Sequence, residues 1–157
     1  MFGVTHFFRA GERVELAPHV KGVDAYWETE ALDLPATATV VGYFYWQTNV
    51  NAMWYYAVET EDGRLLAGWR GEGTDRIHIV HPQSYTPPDL GLVRKALASP
   101  RRTAKSGSNS VEFATDAQMD ECAAAAAAYR DVIASGGSRE EAQEAGRLAH
   151  AAHGNLI

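Results

Sequence analysis

The run Val58-Glu59-Thr60-Glu61-Asp62-Gly63-Arg64-Leu65-Leu66-Ala67-Gly68-Trp69 constrains this chain more than any other stretch. An Asp-Gly pair between two apolar segments can supply the positive φ angles of a tight turn, so the chain is expected to fold back on itself at Asp62 and Gly63 as a β-hairpin. The neighbouring segments extend the pattern. Met53 to Glu61 contains Trp54-Tyr55-Tyr56-Ala57-Val58, and Ala38 to Gln47 contains Thr39-Val40-Val41-Gly42-Tyr43-Phe44-Tyr45-Trp46. Both are β-branched or aromatic throughout, the composition of central strands. Gly11 feeds a short alternating strand at Val14 and Leu16, and Ile77 to Val80 ends at Pro82 and then Pro87-Pro88, which cannot continue a ladder. Five short strands in about 80 residues imply a small barrel or a strongly bent antiparallel sheet. Residues 17–37 hold Pro18, Gly22, Asp24 and Pro35 without a sustained period and read as a long irregular loop.

Beyond residue 89 the pattern changes. Leu90 to Ala98 suits a short helix, and residues 99–110 have the Ser, Gly and basic composition of a mobile linker. Thr115 with Gln118, and Ser138 with Glu141, each form the capping-box spacing that starts a helix. The first helix is expected to stop at Gly136-Gly137 and the second at Gly154. Met119, Cys122, Ala126, Tyr129 and Ile133 would form one seam of this hairpin, and Ala142, Ala145, Ala149 and Ala152 the facing one. The expected fold is therefore α+β. Residues 1–89 form an aromatic-rich β domain, residues 90–114 a short helix and flexible basic linker, and residues 115–157 an Ala-rich helical hairpin that docks on the barrel or makes a homodimer.

Charge follows the same divisions. The net charge of −6 arises from −6 over residues 1–89, +5 over residues 90–111 and −5 over residues 112–157. Neither expected folded part is basic, which disfavours a broad phosphate-binding footprint on either. No run reaches the roughly 18 apolar residues of a membrane span, and Met1 to Ala10 lack a charged leader followed by an apolar core. With the single Cys122, these features lead us to expect a cytoplasmic protein with a structural, buried thiol.

Gly11-Glu12-Arg13-Val14, the glycine-bearing strand at Val41-Gly42-Tyr43, and Tyr56-Ala57-Val58 leading into Asp62-Gly63 resemble the SH3-like small barrels, including KOW- and Tudor-type modules. The resemblance covers about half the chain and concerns the fold. It implies a module that binds peptides, modified side chains or nucleic acids rather than one that catalyses a reaction.

The residues themselves offer no catalytic set. His78 with His81, and His150 with His153, lack the third and fourth ligands of a zinc site, and no metal or cofactor is expected. Gly71-Glu72-Gly73 lacks the Lys-Ser or Lys-Thr of a phosphate loop. The aromatic strands are the unusual feature, because both of their faces are apolar. Trp54, Tyr56 and Val58, with Phe44 and Trp46, carry the bulkiest side chains and are assigned to the core; Tyr43, Tyr45, Met53 and Tyr55 are the expected partner-binding set. The leading expectation is a non-enzymatic accessory or regulatory protein that binds another protein through this surface. A second reading is a nucleic-acid-binding factor that adds phosphate contacts from Arg94, Lys95, Arg101, Arg102 and Lys105. A third rests on Ala31-Leu32-Asp33-Leu34-Pro35, which is similar to the bacterial sliding-clamp-binding pentapeptide with Ala31 in place of its leading Gln; Leu32, Asp33 and Leu34 would make the contact.

Overall fold

A computed structural model describes residues 6–17, 33–70, 75–81 and 87–154. Among these residues the protein is α+β: a seven-stranded antiparallel sheet, one short helix within it, and two longer helices after it. The strands are β1 (Arg13–Glu15), β2 (Thr37–Gln47), β3 (Ala52–Glu59), β4 (Leu65–Arg70), β5 (Ile77–Ile79), β6 (Thr103–Ser106) and β7 (Asn109–Phe113). The helices are α1 (Leu90–Ala98), α2 (Asp116–Ala134) and α3 (Arg139–Gly154). No helix among the described residues is long and apolar enough to cross a membrane.

The sheet runs β5-β4-β3-β2-β7-β6, open at its ends, with β1 paired to the first residues of β2. Strand β2 holds it together. Its first part pairs with β1 and its last part, Phe44 to Gln47, with β7, while β3 lies along its other side. A bulge between Val40 and Gly42 separates the two parts. A bulge shifts the pairing by one residue and so exchanges faces. Val40 opposite Val58 therefore lies on one face of the sheet, whereas Gly42 opposite Ala57 lies on the other. The glycine is required there, since a Cβ at position 42 would stand 2.6 Å from the Phe113 ring.

The main core lies on the Phe44 face. Phe44, Trp46, Tyr55, Ala57, Leu65, Ala67, Val111 and Phe113 from the strands are buried with Leu92, Val93 and Ala96 of α1. Helix α1 is started by Asp89, whose carboxylate accepts from the Leu92 N–H at 3.2 Å, and it presents this apolar stripe to the sheet. On the opposite face, near β1 and β5, Val14, Ala38, Val40, Val58 and Ile77 are buried in turn.

The hairpin at Asp62-Gly63 forms, with a different turn from the one the sequence suggested. Thr60 N–H donates to Arg64 O at 3.0 Å, so three residues form the loop, and only Gly63 has positive φ, at 86°. The Thr60 hydroxyl donates to the Asp62 carboxylate, which also accepts from Arg64 Nε. That hydroxyl above all, with help from Arg64, holds the Asp62 carboxyl below the usual carboxylate range, against the opposing effect of desolvation.

Residues 99–110 are not a mobile linker in the structure. Thr103 to Ser106 and Asn109 to Phe113 form the β6–β7 hairpin, turned at Gly107 with φ of 59° and bonded into the sheet along β2. The linker-like composition concealed a two-stranded extension whose polar residues alternate with Ala104, Val111 and Phe113. It follows that the core does not close at residue 89: α1 and β7 supply five of its side chains.

The chain divides into two compact units. One holds residues 10–71 and 76–113; the other holds residues 1–9, 72–75 and 114–157. Within the second, α2 and α3 form the expected antiparallel hairpin. Both bonds of the Thr115–Gln118 capping box are made, at 2.9 and 3.1 Å. Ser138 and Glu141 form the second box, at 3.0 and 3.4 Å. Met119, Ala126 and Ala142 are buried, and Ile133 at the far end is exposed. Gly146, which the expected seam omitted, lies so close to α2 that a Cβ there would stand 3.2 Å from the Ala125 carbonyl oxygen. The N-terminal residues join this unit: Arg9 pairs with Asp120, and Arg130 Nη1 lies 3.0 Å from His6 Nδ1. Burial, and then the neighbouring Glu121, push the Cys122 thiol up, as suits a structural rather than a reactive side chain.

Candidate partner-binding face

The register between β2 and β3 decides which aromatics reach solvent. Tyr43 is opposite Tyr56, Phe44 opposite Tyr55, Tyr45 opposite Trp54, and Trp46 opposite Met53. Directly opposed residues share a face. Phe44, Trp46, Met53 and Tyr55 therefore lie on the α1 side, and Tyr43, Tyr45, Trp54 and Tyr56 on the other.

This corrects the expected assignment of β3. Tyr55 is only 5% exposed and packs at 5.8 Å from the Phe44 ring; it is a core residue, and burial pushes its phenol up. Trp54, expected in the core, is 40% exposed. Met53 is exposed as expected, but on the α1 side, away from Tyr43 and Tyr45. Tyr43 and Tyr45 are half-buried on the outer face. Phe44, Trp46, Tyr56 and Val58 are buried, Tyr56 where the aromatic face meets the small core near β1.

The four outer rings form a continuous rank. Tyr43 and Trp54 stack at 4.9 Å with their planes 10° apart; Tyr45 lies 5.1 Å from Trp54, and Tyr43 lies 4.8 Å from Tyr56. One stacked pair with a tilted contact on either side restricts the rings before any ligand arrives, which lowers the entropic cost of binding. The rank is flanked by Gln47, Ala52, Ser110 and Glu112, which the register places on the same face. A face so built offers flat apolar area bordered by hydroxyl, amide and one carboxylate group.

The five basic residues do not converge on it. Arg94 and Lys95 are exposed on α1, and Arg101 and Arg102 are exposed in the turn after it. Arg102 has φ of 56°, lies 5.0 Å from the centre of the Phe113 ring and donates to Val41 O at 3.4 Å, so it covers the core side of the bulge. Lys105 alone shares the aromatic face, through its register with Ser110 and of Ser110 with Gln47.

The pentapeptide at residues 31–35 is only partly visible, because Ala31 and Leu32 lie outside the described residues. Asp33 and Leu34 line a cavity of about 480 Å³ with Arg64, Leu66, Val80 and Pro88, and Arg64 Nη1 donates to the Asp33 carbonyl at 2.8 Å. Leu34 is half-buried against the body of the protein. His78 stacks beside Trp69, at 6.4 Å, and His150 lies 3.5 Å from Glu121.

No family model, curated protein or solved structure matches this chain. Its side chains carry the functional reading.

Proposed function

We propose that this protein is a non-enzymatic binding module that docks another protein on the outer aromatic face of β2 and β3, with Tyr43, Tyr45 and Trp54 as the contact residues. The observation that carries this reading is the rank itself: Trp54, 40% exposed, stacked on Tyr43 and in tilted contact with Tyr45, both half-buried, on the face that α1 does not cover. Aromatic anchors of this type supply most of the affinity of protein interfaces, about 2 kcal/mol or more for a central one. Tyrosine serves because its ring supplies area while its hydroxyl tolerates water. A protein partner is favoured over nucleic acid because Glu112 sits directly beside Tyr45 and, of Arg94, Lys95, Arg101, Arg102 and Lys105, only Lys105 lies on that face.

An SH3-like reading of the first five strands belongs to the same proposal. What supports it is the single bridge between Leu16 and Ile77, with Ala17 N–H donating to Ile77 O at 2.9 Å, which draws the end of β1 toward β5. The close approach at Gly68, where a Cβ would stand 2.2 Å from the His78 carbonyl oxygen, holds β4 tightly against β5.

A photo-cross-linking residue placed at position 45 of the full chain tests the reading, with position 95 as the control. In extract of the native host, position 45 should give a discrete protein adduct that is lost on Trp54→Ala and persists at high salt. A nuclease-sensitive adduct that vanishes with salt would assign the face to nucleic acid, and identical adducts from both positions would remove the face from consideration.

A further inference from the structure

Strand β3 is paired with β2 along its whole length, but with β4 only from Tyr56 to Glu59. Continuing that register would set Arg70 opposite Trp54. The pairing of β4 with β3 ends at Gly68, while Gly68, Trp69 and Arg70 pair with β5 along the other edge of β4. Among the described residues nothing pairs with the far side of β3 between Ala52 and Tyr55.

The ladder bonds show where the backbone of that segment points. Thr48 N–H donates to Asn51 O at 2.8 Å, and Thr60 N–H donates to Arg64 O at 3.0 Å. Antiparallel ladders alternate, so Met53 and Tyr55 bond toward β2, whereas Tyr56 and Val58 bond toward β4. Trp54 is next in that second series. Its N–H and C=O aim into the lane that β4 has left. Ala52 shares the direction, but its N–H is taken by Asn51 Oδ1 at 2.9 Å.

Exposed strand edges are normally blunted by lysine, proline or a bulge, because unpaired backbone groups beside apolar side chains recruit other strands. Ala52 to Tyr55 contain none of these. Met53, 38% exposed, stands on one side of the edge and Trp54 on the other, and Trp69, 40% exposed, extends the Met53 side. Arg70 ends β4 beside the open lane, half-buried and in no ion pair among the described residues.

We propose that this edge of β3 takes an extended strand from a partner protein, bonded to the Trp54 main chain, with uncharged side chains over Met53 and Trp54 and a carboxylate at the end next to Arg70. Only a polypeptide backbone supplies a donor and an acceptor at strand spacing. A second copy of this chain fits less well, because residues 48–55, the segment it would offer, carry no carboxylate. The proposal rests on the protein-binding reading above and adds the form in which the partner is held.

The probes are two labelled synthetic strands of alternating Thr and Val, one with Glu at its N-terminus and one with Glu at its C-terminus, titrated onto the full chain. At least one should bind saturably, and binding should slow hydrogen exchange of the Trp54 amide. Methylating the alternate backbone nitrogens of that peptide, or replacing its Glu by Lys, should weaken binding at least tenfold. Trp54→Pro, which removes an N–H that faces away from β2, should abolish binding that Trp54→Ala only weakens; if the proline variant does not fold, the methylated peptide still decides. Absence of binding by both strands at millimolar concentration, equal binding of the methylated form, or an unchanged Trp54 amide would each overturn the proposal. Slowing of that amide with protein concentration alone would overturn it in favour of a second copy. If peptide binding fails while the position-45 adduct persists, only the edge is lost; if peptide binding holds without that adduct, only the aromatic-face reading is lost.

Discussion

Trp54 and Tyr55 are adjacent in sequence, and the register of β2 on β3 gives them opposite fates that a pair of alanine substitutions will separate. Tyr55, 5% exposed, is enclosed by Phe44, Trp46, Ala57 and the residues of α1. Truncating a buried aromatic removes its transfer energy and leaves a cavity, together about 3–5 kcal/mol. In a unit of this size each kcal/mol moves the melting temperature by roughly 4–8 °C, so Tyr55→Ala should lower it by roughly 12 °C or more, or prevent folding altogether. Trp54, 40% exposed, loses only its stacking on Tyr43 and Tyr45 and leaves no enclosed cavity. That loss amounts to about 1 kcal/mol. Thermal and urea melts of the two variants, followed by far-ultraviolet circular dichroism, give the comparison directly. If Trp54→Ala proves as costly as Tyr55→Ala, the two faces have been exchanged, and with them the identity of the binding surface.

Three further outcomes are expected. A fragment ending at residue 89 should not melt cooperatively, because Leu92, Val93, Ala96, Val111 and Phe113 are missing from its core, whereas residues 1–113 should; calorimetry of both decides. Gly68→Ala should cost about 3 kcal/mol, at the upper end of overpacking effects, since the new methyl would meet the His78 backbone and not a movable side chain. The Asp62 carboxyl should titrate below its ordinary range in a carbon-detected NMR titration and move back up in Thr60→Val, since the Thr60 hydroxyl is the larger cause. A depressed carboxyl favours the folded hairpin above its unfolded pKa, and the benefit disappears as pH falls through the folded value; Thr60→Val should therefore flatten the acid limb of the stability curve.

The elements were legible where the local code was strong. Asp62-Gly63 marked its hairpin, and the two capping boxes marked the starts of α2 and α3, because each depends on a few neighbouring residues. Register was not legible. The turn between β2 and β3 carries no Asn-Gly or Asp-Gly pair; it is held by the Thr48 hydroxyl, which accepts from the Val50 and Asn51 N–H groups at 3.2 and 3.0 Å. Nothing in Thr48-Asn49-Val50-Asn51 fixes the loop at two residues, and a slip of one exchanges every side chain between faces. That slip is why Trp54 was expected inside and Tyr55 outside. The β6–β7 hairpin escaped for another reason: Gly107 and the surrounding serines and basic residues have the composition of a spacer, and only the pairing with β2, distant in sequence, makes Asn109 to Phe113 a strand.

The bulge at Val41 and the end of the β3–β4 pairing at Gly68 lie on opposite sides of β3, and together they account for both candidate surfaces. One side of the regular strand β3 passes from the buried Val58, through Tyr56, to the open Trp54, and the exchange of faces at the bulge in β2 is what sets Val40 and then Tyr43 and Tyr45 beside that one stripe. The same exchange brings Phe44 and Trp46 under α1, so β2 can be apolar on both faces and still have a core on each. Beyond Gly68, β4 is paired with β5 and not with β3, and the first residues of β3 have no strand neighbour on that side among the described residues. Two more residues of the β3–β4 register would pair Trp54 with Arg70 and close the edge. A sheet without the bulge would keep one parity along the whole of β2, and the ring rank and the small core at Val14 and Ile77 would no longer lie along one side of β3. Open aromatic face and open strand edge thus meet at Trp54, whose ring belongs to the first and whose main chain belongs to the second.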